Sequence, residues 1–306
     1  MRNWARGVGF GFQGNYAMPP ITQDIVDLYD RFTHGALSRR EFMERLAATV
    51  GGTAAATALL PLLQNNYAVA QTVAENDPRI AISRFQYEIG DAMMNGELAW
   101  PAREGRFPGV VVIHENRGLN PHIRDVTRRF ALEGFIALGI DVLSPEGGTP
   151  ADEDRARDMI GQLAPDRAAA RLAAGVAALA RVQTCNGKVG TVGYCWGGGM
   201  VNRIAVLNPP GLAAGVSYYG SQVPADQVER IRTPLMLHYA GNDERINAGI
   251  PAFKAALEWA KKDVELHVYD DAQHAFNNDT NAARYNKPVA DLALSRTLAF
   301  FRKHLG

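Results

Sequence analysis

The sequence predicts an α/β fold, with a mostly parallel eight-stranded sheet, helices on both of its faces and a helical N-terminal segment in front. From residue 73 onward, short apolar runs that resemble strands alternate with longer helical stretches. This alternation is typical of parallel sheets covered by helices. Several runs are apolar throughout, as expected for strands that are buried on both faces. The 306 residues, of which 47% are hydrophobic, are enough for one large domain of this kind.

The elements are predicted from hydrophobic periodicity. Strands are expected at Ile82–Ile89, Glu97–Ala102, Gly109–His114, Phe135–Asp141, Lys188–Gly193, Ala213–Tyr219, Pro234–Ala240 and Val264–Tyr269. Helices are expected at Asp166–Gln183, Gly197–Leu207, Ala248–Lys261 and Ala290–His304. In sheets of this type the functional residues lie beyond the carboxyl ends of the strands, so the loops at those ends are the expected site.

Composition excludes several classes of function. The 32 basic residues are balanced by 32 acidic ones, and without a basic stripe we expect no nucleic-acid partner. The two cysteines, Cys185 and Cys195, cannot form a disulfide framework and do not have the spacing of zinc ligands. The sequence contains no uninterrupted run of about 20 apolar residues, so no membrane span is expected. Since no metal-ligand cluster, P-loop or dinucleotide fingerprint is found either, neither a metal nor a cofactor is expected.

The segment 1–72 allows two interpretations. Ser38–Met43, with Arg39 and Arg40 at its centre, is similar to a twin-arginine export motif, and the weakly apolar run Leu46–Leu63 follows it. Ala68-Val69-Ala70 then has the pattern of a cleavage site, which would release a periplasmic protein. In the alternative, the segment is retained as a helical hairpin of a cytoplasmic protein. Residues 1–17 are predicted to be irregular, and the main domain is expected at 73–306.

The sharpest motif is Gly193-Tyr194-Cys195-Trp196-Gly197-Gly198-Gly199, which follows a predicted strand and opens a predicted helix. It has the form of the G-x-S-x-G nucleophile elbow, with cysteine in place of serine. Small neighbours are needed there because the strand and the helix approach closely. The positive end of the helix behind the turn favours a thiolate. Cys195 is therefore predicted to be a nucleophile, whereas Cys185 has no such context and is interpreted as structural.

Two downstream loops supply partners in the chain order nucleophile, acid, histidine. Asp243 follows the strand Pro234–Ala240, and His274 follows the strand Val264–Tyr269. His274 would accept the proton of the thiol, and Asp243 would fix the imidazole tautomer. His238 and His267 lie inside predicted strands, and His34 and His304 lie near the termini, so they are weaker candidates. His114 ends a strand but directly precedes Glu115, which makes it a weaker candidate too.

The loop after Gly109–His114 carries Glu115-Asn116-Arg117-Gly118-Leu119. With Gly193–Gly198, the Asp243 loop and His274-Ala275-Phe276, this loop resembles the dienelactone hydrolase family of the α/β-hydrolase superfamily over about residues 80–306. The resemblance implies that Glu115 holds the resting thiol neutral and that substrate binding displaces it. It also implies an oxyanion hole formed by the backbone amides of Asn116 and Trp196. The alternative role for Glu115 is a surface salt bridge with Arg117 or Arg124.

The resemblance further implies hydrolysis of a small ester or lactone, with Arg117 and Tyr194 as substrate contacts. The archetypal dienelactone enzyme binds the carboxylate of its substrate with two arginines. At the corresponding positions this chain has the stretch Asp141–Pro145 and the pair Asn277 and Asn278. We therefore expect a substrate other than dienelactone, unless Arg117 or Arg155 substitutes.

A second hypothesis is a non-hydrolytic binding or redox protein that uses Cys195 on the same scaffold, since fold alone does not decide function. The complete set of Cys195, Asp243 and His274 favours the hydrolase. The expected partner is a small-molecule substrate, and a homodimer is the assembly considered.

Overall fold

The computed structural model describes residues 19–68 and 71–306, which fall into two compact units that divide at Gln64. The irregular segment predicted at 1–17 lies outside the described residues, as do Val69 and Ala70 of the cleavage pattern. The division comes earlier than the boundary expected after residue 72. The boundary lies earlier because backbone amides that follow Gln64 already bond to residues of the second unit. The amide of Asn66 donates to the carbonyl of Thr280, and the amide of Val73 donates to Asp125 Oδ1.

Residues 19–64 of the N-terminal unit contain three helices, α1 (Gln23–Thr33), α2 (Arg39–Val50) and α3 (Thr53–Leu63). Stacked rings of Phe32 and Phe42, 4.7 Å apart, join α1 to α2. The expected run Leu46–Leu63 is broken into two helices because Gly51 ends α2 in the left-handed conformation, at φ 86°.

The twin-arginine motif has a structural role in this unit. Ser38 is the N-cap of α2 and forms a capping box with Glu41, so that each residue satisfies a backbone amide of the other. Arg40 pairs with Glu44 one turn later. Within the described residues no single helix is long and apolar enough to span a membrane, although α2 and α3, with a bend of 111° between them, meet the length and composition criteria jointly.

The second unit contains the predicted eight-stranded sheet. Its strands are β1 (Ile80–Ile89), β2 (Ala92–Pro101), β3 (Phe107–Ile113), β4 (Ile136–Asp141), β5 (Cys185–Tyr194), β6 (Leu212–Tyr218), β7 (Leu235–Asn242) and β8 (Val264–Gln273). The order across the sheet is β1-β2-β4-β3-β5-β6-β7-β8. Only β2 runs antiparallel to the rest, because a tight turn at Gly90 joins it to β1 as a hairpin and it also pairs antiparallel with β4.

Seven α-helices lie among the described residues of this unit. They are α4 (Pro121–Leu132), α5 (Glu153–Gln162), α6 (Pro165–Ala180), α7 (Trp196–Leu207), α8 (Glu244–Asn247), α9 (Ile250–Trp259) and α10 (Lys287–Leu305). One apolar core lies between the sheet and α6, α7 and α9, and the other between the sheet and α4 and α10. The prediction of helices on both faces is thus confirmed. The helices α4 and α5 were not predicted, because α4 buries charged residues and α5 is strongly polar.

A buried polar network ties β7 and β8 to α10. His238 on β7 contacts the Tyr269 hydroxyl through Nδ1 at 2.9 Å and the Thr297 hydroxyl through Nε2 at 3.1 Å. Arg296 donates to the same tyrosine oxygen at 3.1 Å, which leaves the tyrosine proton for Nδ1 of the histidine. Burial, with His267 and Arg296 nearby, lowers the pKa of His238 well below its ordinary value of 6.5. The imidazole is therefore neutral in the folded protein.

We expect the stability of the fold to decrease as the pH falls below about 6.5. The unfolded chain then binds a proton that folded His238 excludes, so the free energy of unfolding falls by up to about 1.4 kcal/mol per pH unit until the folded pKa is reached. Urea unfolding of His238→Gln between pH 8 and 5 should give a flatter slope, with a residual part from buried His114, whose pKa is also lowered by burial. His304→Gln is the control, and an identical slope for wild type and His238→Gln would contradict this explanation.

Candidate active site

Cys195 lies in a sharp turn between β5 and α7. Its backbone is in a sparsely populated region at φ 55° and ψ −114°, and it is the N-cap of α7. A side chain on Gly193 would lie 2.1 Å from the Gly197 carbonyl, so the strand and the helix leave room only for glycine there. The Cys195 amide donates to the carbonyl of Tyr218 at the end of β6. The turn therefore has the geometry of a nucleophile elbow.

Asp243 and His274 come together beyond the ends of β7 and β8. His274 Nδ1 lies 2.5 Å from Asp243 Oδ2, and both side chains are buried. The other carboxylate oxygen of Asp243 accepts the amide of Ile246 in α8, which fixes the carboxylate. A ring nitrogen of His274 lies within 4.8 Å of the Cys195 sulfur. Since Nδ1 is engaged by Asp243, Nε2 is the nitrogen that can exchange a proton with the thiol.

The loop that carries Glu115 is placed beside the elbow by the close approach of β3. A side chain on Gly197 would lie 2.5 Å from the carbonyls of Ile113 and His114, so the loop after β3 directly adjoins the turn. The His114 ring stacks on Trp196, with centroids 5.3 Å apart. Trp196 is the first residue of α7, so its backbone amide has no partner within the helix. Asn116 lies in the turn that follows β3.

The carboxylate of Glu115 is 7% exposed and is held by a neutral amide. Asn278 Nδ2 donates to its Oε2 at 2.8 Å, and Oε1 has no hydrogen-bond partner among the described residues. The backbone amide and the hydroxyl of Thr280 both donate to Asn278 Oδ1, which fixes the orientation of the Asn278 amide. Sequence reasoning missed this contact, because 163 positions separate the two residues.

The alternative role of Glu115, a surface salt bridge with Arg117 or Arg124, is not what the structure shows, because Glu115 is buried and both arginines pair with other residues. Arg117 is buried and pairs with Glu153 at 3.1 Å and Asp154 at 3.7 Å on α5. Arg124 pairs with Glu97 instead.

The predicted substrate contacts lie in different surroundings. Tyr194 is buried, with its ring 4.9 Å from that of Tyr218. Both ion pairs of Arg117 use its Nη1. Arg155 is exposed on α5.

The fold and the elbow geometry together define an α/β-hydrolase. The family model of the dienelactone hydrolase family matches residues 94–305, and a YqhI-like model matches residues 19–51. The chain belongs to the dienelactone hydrolase family.

Several curated relatives carry the name "Putative carboxymethylenebutenolidase". The protein from Methylorubrum extorquens is 28% identical over 299 residues, covering 93% of this chain and 99% of the relative. The protein from Saccharolobus solfataricus is 31% identical over 255 residues, covering 71% of this chain and 96% of the relative. A crystal structure titled "Putative Dienelactone Hydrolase", from Klebsiella pneumoniae, superposes with a TM-score of 0.66 at 26% identity, over 74% of this chain and 99% of that one.

Proposed function

We propose that this hydrolase cleaves small carboxylic esters or lactones, with Cys195 as nucleophile, His274 as general acid and base, and Asp243 as the group that orients the imidazole. The observation that carries the proposal is the pair of His274 and Asp243 at 2.5 Å, within reach of a cysteine in an elbow. The names of the curated relatives refer to a butenolide, which is a lactone.

The reaction proceeds in two acyl-transfer steps. His274 Nε2 accepts the thiol proton while the sulfur of Cys195 forms a bond to the carbonyl carbon. The amides of Asn116 and Trp196 donate to the resulting oxyanion. When the C–O bond breaks, the imidazolium returns the proton to the leaving alcohol, which stays attached in the case of a lactone. Water activated by His274 then cleaves the thioester and regenerates the thiol.

Glu115 controls the resting state of the thiol in this proposal. A carboxylate near the sulfur disfavours the thiolate, because two like charges in a poorly solvated site repel each other. Displacement of the carboxylate by substrate removes that repulsion, and Glu115 then takes up the thiol proton and passes it to His274 Nε2, which holds it during the attack. Asn278 holds Glu115 in its resting position until then.

The function is tested with a panel of p-nitrophenyl esters and five- and six-membered lactones. We expect turnover of short-chain members, complete inactivation by iodoacetamide, and protection by a slow substrate. Cys185→Ala is the matched control, since Cys185 is buried on β5 and burial raises its thiol pKa. Hydrolysis of the panel by Cys195→Ala at the wild-type rate would refute Cys195 as the nucleophile, and absence of turnover by the wild-type protein would refute the proposed hydrolysis itself.

Glu115→Gln is expected to speed alkylation of the resting cysteine near neutral pH and to slow ester turnover. Loss of the negative charge should lower the apparent pKa for alkylation, while the proton acceptor for substrate-induced ionisation is lost. Asn278→Ala frees the carboxylate of Glu115 without removing its charge. The variant should therefore change the alkylation rate, in either direction, by less than Glu115→Gln does.

The measurement is the alkylation rate against pH for wild type, Glu115→Gln, Asn278→Ala and the neighbouring control Asn277→Ala. An apparent pKa that is the same in wild type and Glu115→Gln would mean that Glu115 does not control the thiol.

A further inference from the structure

Tyr219 combines two unfavourable features that the proposed mechanism does not yet use. Its backbone is in the left-handed region at φ 39°, which is uncommon for a bulky side chain. Its side chain is 1% exposed, yet its hydroxyl has no hydrogen-bond partner among the described residues. A buried hydroxyl without a partner is destabilising, and strained residues cluster at functional sites.

Three other buried tyrosines show that this fold normally satisfies such hydroxyls. The hydroxyl of Tyr218 pairs with Thr297 at 2.7 Å, and that of Tyr87 donates to the Arg171 carbonyl at 2.8 Å. The hydroxyl of Tyr239 accepts from Gln222 at 3.3 Å. The unpaired hydroxyl of Tyr219 is therefore not a general consequence of burying tyrosine in this sheet.

Contacts on both sides of Tyr219 lead to the reacting groups. The carbonyl of the preceding residue, Tyr218, accepts a hydrogen bond from the amide of Cys195. The amide of Tyr219 donates to the His238 carbonyl at 2.7 Å. Its ring lies 5.0 Å from that of His274 and packs edge-on against Phe276 at 5.3 Å. The ring is thus held firmly against the histidine loop.

The phenol also stays protonated. Burial raises the pKa of Tyr219 well above 10, and the charges of Glu115, Tyr194 and Cys195 add to this effect. A neutral phenol in this position can contribute to the reaction as a hydrogen-bond donor or acceptor, and its ring already contacts that of His274.

We propose that Tyr219 is a further catalytic residue, whose hydroxyl donates a hydrogen bond to an oxygen of the bound ester or lactone while the sulfur attacks. The inference rests on the proposed function, because it requires a substrate oxygen beside Cys195. No proton is transferred: the bound oxygen supplies the partner that the hydroxyl lacks, and the bond strengthens as charge develops on that oxygen.

The test compares Tyr219→Phe with Tyr218→Phe, using p-nitrophenyl acetate and δ-valerolactone as probes and urea unfolding as the second measurement. Phenylalanine keeps the ring and removes only the hydroxyl. We expect Tyr219→Phe to lose about 10- to 100-fold in kcat/KM while its urea midpoint stays equal to or rises above that of wild type, since an unpaired buried polar group is removed. Tyr218→Phe, which breaks the bond to Thr297, should lower the midpoint.

Two results would overturn the inference. Tyr219→Phe could retain kcat/KM within twofold of wild type. It could instead lose stability as Tyr218→Phe does, which would show that the hydroxyl is structural and bonded to water. Hydrolysis that depends on Cys195 but not on the Tyr219 hydroxyl would refute this role alone. Absence of Cys195-dependent hydrolysis in the wild-type protein would refute the proposed function and this inference together.

Discussion

Cys195→Ala is expected to lower kcat for the best ester substrate by about 10³-fold or more, the scale seen when a member of a catalytic triad is removed. Alanine removes the only atom of the elbow that can form the acyl intermediate, while the glycines and the amides of α7 remain. The fold should change little, because the strained backbone of Cys195 is held by its hydrogen bond to Tyr218 and by the close glycine contacts.

Steady-state kinetics with p-nitrophenyl acetate measures this effect, and Cys185→Ala is the control for loss of a buried thiol. Loss of less than about tenfold in Cys195→Ala, with Cys185→Ala unaffected, would assign the ester cleavage to another group.

His274→Ala is expected to be nearly as damaging, with a loss of about 10³-fold in kcat, and the double variant Cys195→Ala/His274→Ala should be hardly worse than either single one. The two residues act as one unit, since the imidazole has no role without the thiol whose proton it accepts. Asp243→Asn should leave the geometry in place but favour the wrong imidazole tautomer, and so it too should lose activity.

The kinetic comparison of the two single variants with the double variant measures this coupling. Losses that multiply would show that Cys195 and His274 act independently. His267→Ala, a partly buried histidine on β8 outside this group, is the control for a missing imidazole.

The sequence predicted the sheet and the elbow well, because both depend on local patterns. Glycine at 193 and at 197–199 is required wherever β5 and α7 meet closely, and this requirement is visible in the sequence itself. Asp243 was found because it follows the apolar run Pro234–Ala240, and His274 because it follows the predicted strand Val264–Tyr269. The contact of 2.5 Å between them agrees with that prediction of proximity.

Other features could not be predicted because they join distant parts of the chain. The amide of Asn278 reaches Glu115, and Glu153 on the unpredicted helix α5 engages Arg117, with Tyr67 bonded to the same carboxylate. Buried charged groups also masked α4, whose Arg128 is covered and pairs with Glu97. A periodicity argument counts such residues as exposed, although their partners make burial acceptable.

The N-terminal unit illustrates a motif with two explanations. Ser38-Arg39-Arg40-Glu41 fits an export motif, and it also fits a capping box, which the structure contains. Helix capping needs only the serine and the glutamate, so the two arginines are not explained by it. Export through these arginines, with a mature chain that starts at Gln71, stays a prediction that N-terminal sequencing of the protein from its native host can test.

The most direct test of the central claim is the intact mass of the enzyme after rapid mixing with p-nitrophenyl acetate and acid quench. Wild-type enzyme is expected to gain one acetyl group, and peptide mapping should place this group on Cys195. Neutral hydroxylamine should release it, as expected for a thioester. His274→Ala should accumulate little adduct, because the thiol is poorly activated. Cys195 would not be the nucleophile if the ester is turned over while the acetyl group consistently maps to a serine or to any other residue.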